Sequence, residues 1–558
     1  MAYRRDSYRK DSYTRADSYR DGRIYDDEEY GGYPGHADQV SNNRKYSDFG
    51  NKDDFYDPRG TSTQSYSFPD AVAKFIIHLY QSINNRDVSE IENLYEIRFP
   101  QLTRDYFKEE KWPQDITHLV DDPLFTTLYR ELYFRHIYAT MSNSLTFSDR
   151  CNSYSNYCEL FNMILTSPEP IDLTLTNQWL WEIIDEFVYQ FQSFSQFRRS
   201  PRLNAEESQY FKEHTYIWSV LSVLNVLYSL IEKSNINQQL RAYFNGENAE
   251  TVAGDFGKSP LYKMLGYFSL IALLRVHSML GDYHLAVKVL ENIDLHKNTM
   301  YCNVPACQIT TYYYVGFAYV MMRRYADAIR TYTNALLYIQ RMRQMFQAKS
   351  YQNDQVNKQT DQMYTMLAIC LVLHPQSIDE SINSVLQDRK YADKISKMQQ
   401  GDMKEFENCF TFACPKFLSP VPPAIDASPD PSQEPLQIQK SIFMEEVAQQ
   451  IYLPTIRSFL KLYTTMPVSK LAAFMELDHN TLMECLLCFK HKMHNIVWSK
   501  GVSSLDGDFM AGSEVDFYID KDMVHIADTK VGRRYGDYFI RHIHLMDELH
   551  RALKGLKF

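Results

Sequence analysis

Two kinds of periodicity meet between residues 456 and 530, and this stretch constrains the fold more than any other part of the chain. Apolar residues three and four positions apart predict helices over 456–463, 468–475 and 481–496. Segments 464–467 and 477–480 separate them. In the third helix the apolar residues form one stripe, consisting of Leu482, Leu486, Phe489, Met493 and Ile496.

A β-hairpin is predicted directly after these helices, because apolar and polar residues alternate on both sides of Lys521 and Asp522. With a two-residue turn there, the cross-strand pairs are Ile519 with Val524 and Phe517 with Ile526, all on one face. Three helices followed by a hairpin is the order of a winged helix.

The bulk properties exclude several classes of protein. A chain of 558 residues holds several domains or one long repeat array. Its net charge of −11 argues against bulk affinity for nucleic acid or anionic membranes. There is no N-terminal apolar segment and no apolar run of 18 residues, so neither a signal peptide nor a membrane span is expected. An odd count of nine cysteines favours reduced thiols.

Residues 1–66 are predicted to be a disordered, low-complexity tail. They contain ten tyrosines but no leucine, and a short Asp-Ser-Tyr unit recurs. Too little apolar surface is present to offset roughly 1–2 kcal/mol of backbone entropy per residue.

A helical repeat is the clearest pattern in the middle of the chain. One unit fits the tetratricopeptide pattern at Val315, Gly316, Tyr319, Tyr325, Ala328, Tyr332 and Ala335. An earlier unit fits less completely at Leu273, Gly281, Asp282, Tyr283, Ala286 and Leu290. Ala286 and Ala328 are 42 residues apart, so the array is irregular. Stacked helix pairs leave a concave face for partners, which favours a scaffold over an enzyme.

The C-terminal segment carries a coiled-coil-like seam. Steps of four and three connect Tyr535, Phe539, His542, Met546, Leu549, Leu553 and Leu556. The winged helix is complete before this segment, so its apolar stripe must be buried against something else. Helix-bundle contacts with other subunits are therefore predicted. If these apolar side chains stayed in water, about 0.8 kcal/mol of burial free energy per CH₂ group would be lost.

No catalytic motif is found. GxxxxGK[ST], GxGxxG, HExxH and GxSxG are all absent from the sequence. Cys485 and Cys488 have CxxC spacing without a second pair, and core packing explains them better than zinc. The pairs at 491/494 and 542/544 are histidines without a completing ligand. The sequence therefore predicts no enzyme, no cofactor and no metal.

Nucleic-acid binding by the winged helix is the main alternative. Its basic residues are Lys490, Lys492, Lys500, Lys530, Arg533 and Arg534. Acidic residues surround them, so contact with RNA phosphate is expected to be occasional. A winged-helix nucleic-acid-binding regulator stays open at this point. The unpaired edge of the hairpin is better suited to pairing with another protein.

Six strings carry a family resemblance: NQWLWEIIDEF (177–187), YQFQSFSQ (189–196), KMLGYFSL (263–270), TTYYYVGFAY (310–319), IRSFLKLYTTMPV (456–468) and SEVDFYIDKDM (513–523). They resemble the subunit L family of eukaryotic translation initiation factor 3, over roughly residues 69–553. Helical repeats, a winged helix and a terminal helix are also shared by the wider PCI family. A PCI scaffold subunit of the proteasome lid or signalosome is therefore a further alternative.

After the tail 1–66, which composition predicts and which departs from the family, the resemblance implies a mostly α fold with a helical repeat region 67–317, a PCI domain 318–532 with its winged helix at about 456–530, and a C-terminal bundle helix 533–558. It also implies a non-catalytic, cytoplasmic scaffold on the small ribosomal subunit that supports recruitment of mRNA and initiator tRNA, with subunits K and E as neighbours. The docking residues would be Val515, Phe517, Ile519, Val524 and Ile526 in or beneath the sheet, and Phe539, Met546, Leu549 and Leu553 in the bundle. The alternative for the hairpin residues is that their shared face packs on the domain's own helices, with the backbone making the lateral contact.

Overall fold

The computed structural model describes residues 69–108, 110–141, 144–199, 205–293, 304–348, 350–421, 434–499, 503–511 and 515–555. The tail 1–66 lies outside the described residues. The described chain is mostly helical, as the sequence predicts. None of its helices combines the length and the apolar content needed to cross a bilayer.

The helices of the N-terminal half are α1 (Asp70–Asn84), α2 (Val88–Asn93), a π-helical turn (Leu94–Arg98), α3 (Phe99–Tyr106), α4 (Pro123–Thr140), α5 (Phe147–Thr166), α6 (Asn177–Phe197), α7 (Ala205–Glu213), α8 (Val220–Ser234), α9 (Ile236–Asn245), α10 (Ala249–Val252), α11 (Gly254–Lys258) and α12 (Pro260–Leu280). Side chains fix several starts. Asp122 accepts the backbone N–H groups that open α4, and Thr146 forms a capping box with Asp149 at α5.

The array continues with α13 (Tyr283–Lys288), α14 (Pro305–Met321), α15 (Tyr325–Ala348), α16 (Ser350–Leu373), α17 (Glu380–Leu386), α18 (Arg389–Gln399), α19 (Met403–Ala413) and α20 (Glu434–Gln450). Helix α12 is apolar on every side, and it is accordingly buried between α6, α8, α13 and α14. The predicted repeat unit is the hairpin of α14 and α15. Gly316 permits their close approach, because a Cβ there would lie 2.6 Å from the Tyr332 ring.

One hydrophobic core runs from Val72 to Val447, and a second one runs from Leu453 to Val524. The predicted boundary between residues 317 and 318 lies inside α14 and therefore within the first core. The physical break between cores comes after α20, where the winged helix begins. The division of the chain into a repeat region and a PCI domain remains a prediction, since it does not coincide with the division between the two cores.

The winged helix consists of α21 (Leu453–Leu460), β1 (Thr465–Pro467), α22 (Val468–Met475), α23 (His479–Lys492), β2 (His494–Val497), β3 (Asp508–Ala511), β4 (Val515–Asp520) and β5 (Met523–Asp528). Its three-stranded sheet has the order β1-β5-β4, and β2 pairs with β3. The predicted hairpin register is confirmed, because Ile519 pairs with Val524 and Phe517 with Ile526 around the two-residue turn.

Two helix boundaries were predicted wrongly, and one short strand was not predicted. The third helix ends at Lys492 rather than at 496, because Ile496 joins β2 opposite Phe509. The segment 464–467 is more than a break, since Met466 pairs with Val524 and makes β1. The C-terminal helix, α24 (Thr529–Gly555), begins directly after β5 rather than at 533. Strand pairing with distant residues decides the first two cases, and local helical periodicity cannot detect it.

A buried ionic cluster joins α4 to α6. The Arg135 guanidinium lies 2.5 Å from a Glu131 oxygen and 2.6 Å from a Glu182 oxygen. The Tyr95 ring stacks on Trp179, whose indole N–H donates to Glu131 at 3.4 Å. Glu186 is close to the same arginine. Burial raises the pKa of Glu186 to about 8, against the opposing attraction of Arg135.

We expect stability to fall as pH rises toward about 8. Below the ordinary glutamate pKa of 4.5 both the folded and the unfolded states are protonated at Glu186. Above it the unfolded chain releases this proton while the folded chain keeps it, which favours unfolding until the folded pKa of about 8 is passed. Glu186→Gln should therefore raise the thermal midpoint at about pH 8.5 much more than at about pH 5. The exposed Glu159→Gln is the matched control, and an equal effect of both changes would contradict the prediction.

Candidate docking surfaces

The predicted docking side chains of the hairpin belong to the winged helix's own core. Val515, Phe517 and Val524 are buried, and the Phe517 ring centroid lies 5.6 Å from that of Phe489 on α23. Ile519 and Ile526 are partly buried and pack against the same core. The sheet therefore presents to a partner its backbone edges and its outer face, where Tyr518 stacks on His525.

Two of the predicted RNA-contacting residues, Lys490 and Lys492, are held by carboxylates. The Lys490 ammonium binds Asp516 and donates to the Phe517 carbonyl at 2.7 Å. The Lys492 ammonium lies 2.5 Å from a Glu446 oxygen, and its side chain is only 10% exposed. Neither is oriented toward a phosphate in solution. Lys500 lies outside the described residues, as do the side chains of Lys530, Arg533 and Arg534, so RNA contact at those residues remains a prediction.

Helix α24 leaves its apolar side chains in solvent. The predicted seam residues Phe539, Met546, Leu549 and Leu553 are 52–63% exposed. Further apolar side chains widen this face to about half of the helix circumference, namely Tyr538, Ile543 and Leu545. Within the chain, α24 packs mainly against β4 and β5 at its beginning. The Tyr535 side chain and Leu556 lie outside the described residues.

A buried joint connects the repeat array to the winged helix, and the sequence analysis missed it. Arg324 lies in the turn between α14 and α15. Its guanidinium donates to the carbonyls of Ser504, Leu505 and Asp506 at 3.0–3.2 Å, in the segment between β2 and β3. It also pairs with Asp327 at 2.7 Å, and both side chains are nearly inaccessible to solvent.

Three further side chains complete this joint. Both carboxylate oxygens of Asp327 accept the backbone N–H of Trp498 at 3.2 Å. The Arg330 guanidinium lies 4.7 Å from the centre of the Trp498 ring, and the Tyr319 hydroxyl donates to the Ser504 carbonyl at 2.8 Å. The only sequence signal for this joint was the Arg-x-x-Asp spacing of Arg324 and Asp327 in a repeat turn. The carbonyls that Arg324 binds lie about 180 residues further along the chain, so the spacing could not identify them.

Comparison with known proteins decides the family. The chain is 54% identical over 536 residues to "Eukaryotic translation initiation factor 3 subunit L" of Aedes aegypti, covering 92% of this chain and 99% of the relative. It is 51% identical over 549 residues to the protein of the same name from Nematostella vectensis, covering 98% and 100%. This chain belongs to the subunit L family of eukaryotic translation initiation factor 3. A family model described as "RNA polymerase I-associated factor PAF67" also matches residues 149–546.

The cysteines and histidines that the sequence singled out in this subunit L family member have the following surroundings. No group of three or more metal-ligating side chains occurs in the described ranges. Cys485 and Cys488 lie on α23, and burial raises the pKa of the Cys485 thiol, which keeps it protonated at neutral pH. The His494 ring bonds to the Lys490 carbonyl at 2.9 Å, and His542 packs on the Tyr538 ring.

Proposed function

We propose that this chain is a non-catalytic, cytoplasmic scaffold subunit of the initiation factor 3 complex. In that role it supports assembly of the initiation complex on the small ribosomal subunit and the recruitment of mRNA. The names of relatives at 51–55% identity support this role. Subunits K and E are the expected neighbours.

The apolar face of α24 is the observation that carries the scaffold role. A side chain such as Phe539, at 60% exposure, gains most of its burial free energy only when a partner covers it. Full burial of one such side chain contributes about 1.5–3 kcal/mol. Because α24 begins immediately after β5, it extends directly from the three-stranded sheet of the winged helix. This geometry suits a helix bundle formed with other subunits.

The nucleic-acid-binding alternative receives less support from the geometry. Duplex reading needs cationic side chains free to reach phosphates. Lys490 and Lys492 instead bind Asp516 and Glu446 of the same chain. Of the six predicted RNA contacts, Lys500, Lys530, Arg533 and Arg534 therefore remain as candidates.

Affinity purification of the tagged full-length chain tests this role. We expect mass spectrometry to recover the other initiation factor 3 subunits in stoichiometric amounts, with K and E retained longest under increasing salt. Recovery of proteasome-lid or signalosome subunits instead would contradict the proposal. A titration of the purified chain with duplex and structured RNA at several salt concentrations addresses the alternative, because phosphate-driven binding weakens steeply with salt.

A further inference from the structure

The outer edge of the winged-helix sheet is strand β4. The order β1-β5-β4 leaves one side of β4 without a strand neighbour in the described chain. On β5, the Ile526 N–H donates to the Thr464 carbonyl, and the Asp522 carbonyl accepts from Val468, so these even-numbered residues face β1. The alternate β5 residues therefore face β4. In the observed register, the backbone groups of residues 515, 517 and 519 then point outward from the sheet.

Both outward-pointing backbone groups of Phe517, the middle residue of this edge, are already bonded. Its N–H donates to the Asp516 carboxylate at 2.8 Å, and its carbonyl accepts from the Lys490 ammonium at 2.7 Å. Lys490 also binds Asp516 and lies 5.5 Å from the centre of the Phe517 ring. The lysine comes from α23 beneath the sheet, so its ammonium group occupies the place where the backbone of a neighbouring strand would lie. We call this arrangement of Lys490, Asp516 and the Phe517 backbone the edge clamp.

We propose that the edge clamp closes β4 to strand pairing in the free chain, and that it opens when an extended strand of a neighbouring subunit pairs there. This proposal rests on the proposed scaffold function for the identity of the neighbour. Unpaired edges are sites of unwanted association, and a charged side chain placed across an edge is a known protection. The Lys490 and Asp516 side chains remain 42% and 46% exposed.

Because both side chains are partly exposed, strand pairing can readily replace the edge clamp. Ion pairs between exposed side chains are weak, so releasing the Phe517 backbone costs little when a strand supplies replacement bonds. The incoming strand's carbonyl then accepts the Phe517 N–H, and its N–H donates to the Phe517 carbonyl. Lys490 and Asp516 can stay paired with each other in solvent. A transient contact that supplies only one hydrogen bond would not displace the Lys490 and Asp516 side chains from the Phe517 backbone.

The opposite edge offers less to a partner. Strand β1 has only three residues, Thr465–Pro467, and Met466 pairs with Val524 of β5. The outward residues of β1 are therefore 465 and 467. Proline has no backbone N–H, so position 467 cannot donate to a neighbouring strand. This leaves β4 as the edge of the described sheet on which control of strand pairing matters.

The test compares Lys490→Met with Lys470→Met in the full-length chain. Both lysines lie over an aromatic ring, at 5.5 Å from Phe517 and 5.7 Å from Phe474, but Lys470 is on α22 and not at the edge. A second copy of the chain serves as the probe strand. We expect Lys490→Met to self-associate at about ten-fold lower concentration, the effect of roughly one net hydrogen bond, and to exchange the Phe517 backbone hydrogen faster, because Asp516, its acceptor, loses the lysine that holds it. Lys470→Met should match the unmodified chain.

Two more variants keep the outcome decisive. Asp516→Ala removes the acceptor of the Phe517 N–H from a half-exposed position that tolerates change, and it should open the edge even if Lys490→Met folds poorly. Lys490→Arg should restore the closed edge, since it keeps a cationic donor. Unchanged exchange and sedimentation in Lys490→Met and Asp516→Ala would overturn the clamp. Failure of the unmodified chain to co-purify with initiation factor 3 would instead overturn the proposed function and leave these measurements intact.

Discussion

Changing Phe539, Met546 and Leu553 together to aspartate is expected to abolish incorporation of the chain into its assembly. The three side chains are 60–63% exposed on α24 in the free chain, and under the proposed scaffold function a partner would bury them. Losing the burial of their exposed fraction costs roughly 3–5 kcal/mol in total, which weakens association by about 10²-fold or more. Co-purification from cells that also express the unmodified chain measures the loss directly.

The free chain itself should be unaffected by these substitutions. Exposed positions without special contacts usually change stability by less than about 0.5 kcal/mol, so the thermal midpoint of the purified triple variant should match that of the unmodified chain. Ile540→Asp is the matched control, because Ile540 is 55% exposed but lies on the opposite side of the same helix. Normal incorporation of the triple variant would rule out α24 as a docking helix.

Replacing Arg324 by methionine is expected to release the winged helix from the repeat array. The change removes the donors for three carbonyls between β2 and β3, and it leaves the carboxylate of Asp327, 1% exposed, without one of its two arginine partners. Breaking a buried ion pair from one side costs about 3–5 kcal/mol. We expect a lower denaturation midpoint and faster hydrogen exchange over residues 503–511.

Arg323→Met is the control for this prediction. Arg323 is the neighbouring residue, its side chain is 44% exposed, and its nearest carboxylate, that of Glu446, lies 3.8 Å away. An exposed pair of this kind contributes about 0–1 kcal/mol. Equal exchange over 503–511 in the two variants would show that the Arg324 joint does not hold the winged helix.

The joint connects the repeat array to the winged helix, so the two parts of the chain do not move independently. Arg324 and Asp327 of the repeat array bind the segment between β2 and β3, and α24 follows β5 of the neighbouring three-stranded sheet. A second contact reinforces the first, since Lys492 of α23 binds Glu446 of α20. A scaffold with such a rigid connection does not need to order its domains again on binding, and that lowers the entropic cost of assembly.

Local periodicity allowed much of this fold to be predicted. The stripe of Leu482, Leu486 and Phe489 faces the winged-helix core as expected, and the alternation around the 521–522 turn fixed the hairpin register. The repeat pattern likewise placed Gly316 opposite Tyr332. In each case the information lies within a few turns of helix or along one hairpin, so sequence spacing is enough to determine it.

Contacts between distant segments could not be predicted in this way. Strand β1 exists only because β5 pairs with it, and β2 and β3 pair across the segment that Arg324 binds. Lys490 and Lys492 looked like an RNA-contacting pair, but each has an acidic partner that the fold brings to it.

The sequence by itself determined the helices, the hairpin register and the family, because these depend on short-range spacing and on shared strings. Only the tertiary structure decided which charged groups are paired, which strand edge is closed, and which apolar face remains in solvent. Those properties depend on the distances between residues far apart in the chain, and such distances are set when the whole chain packs.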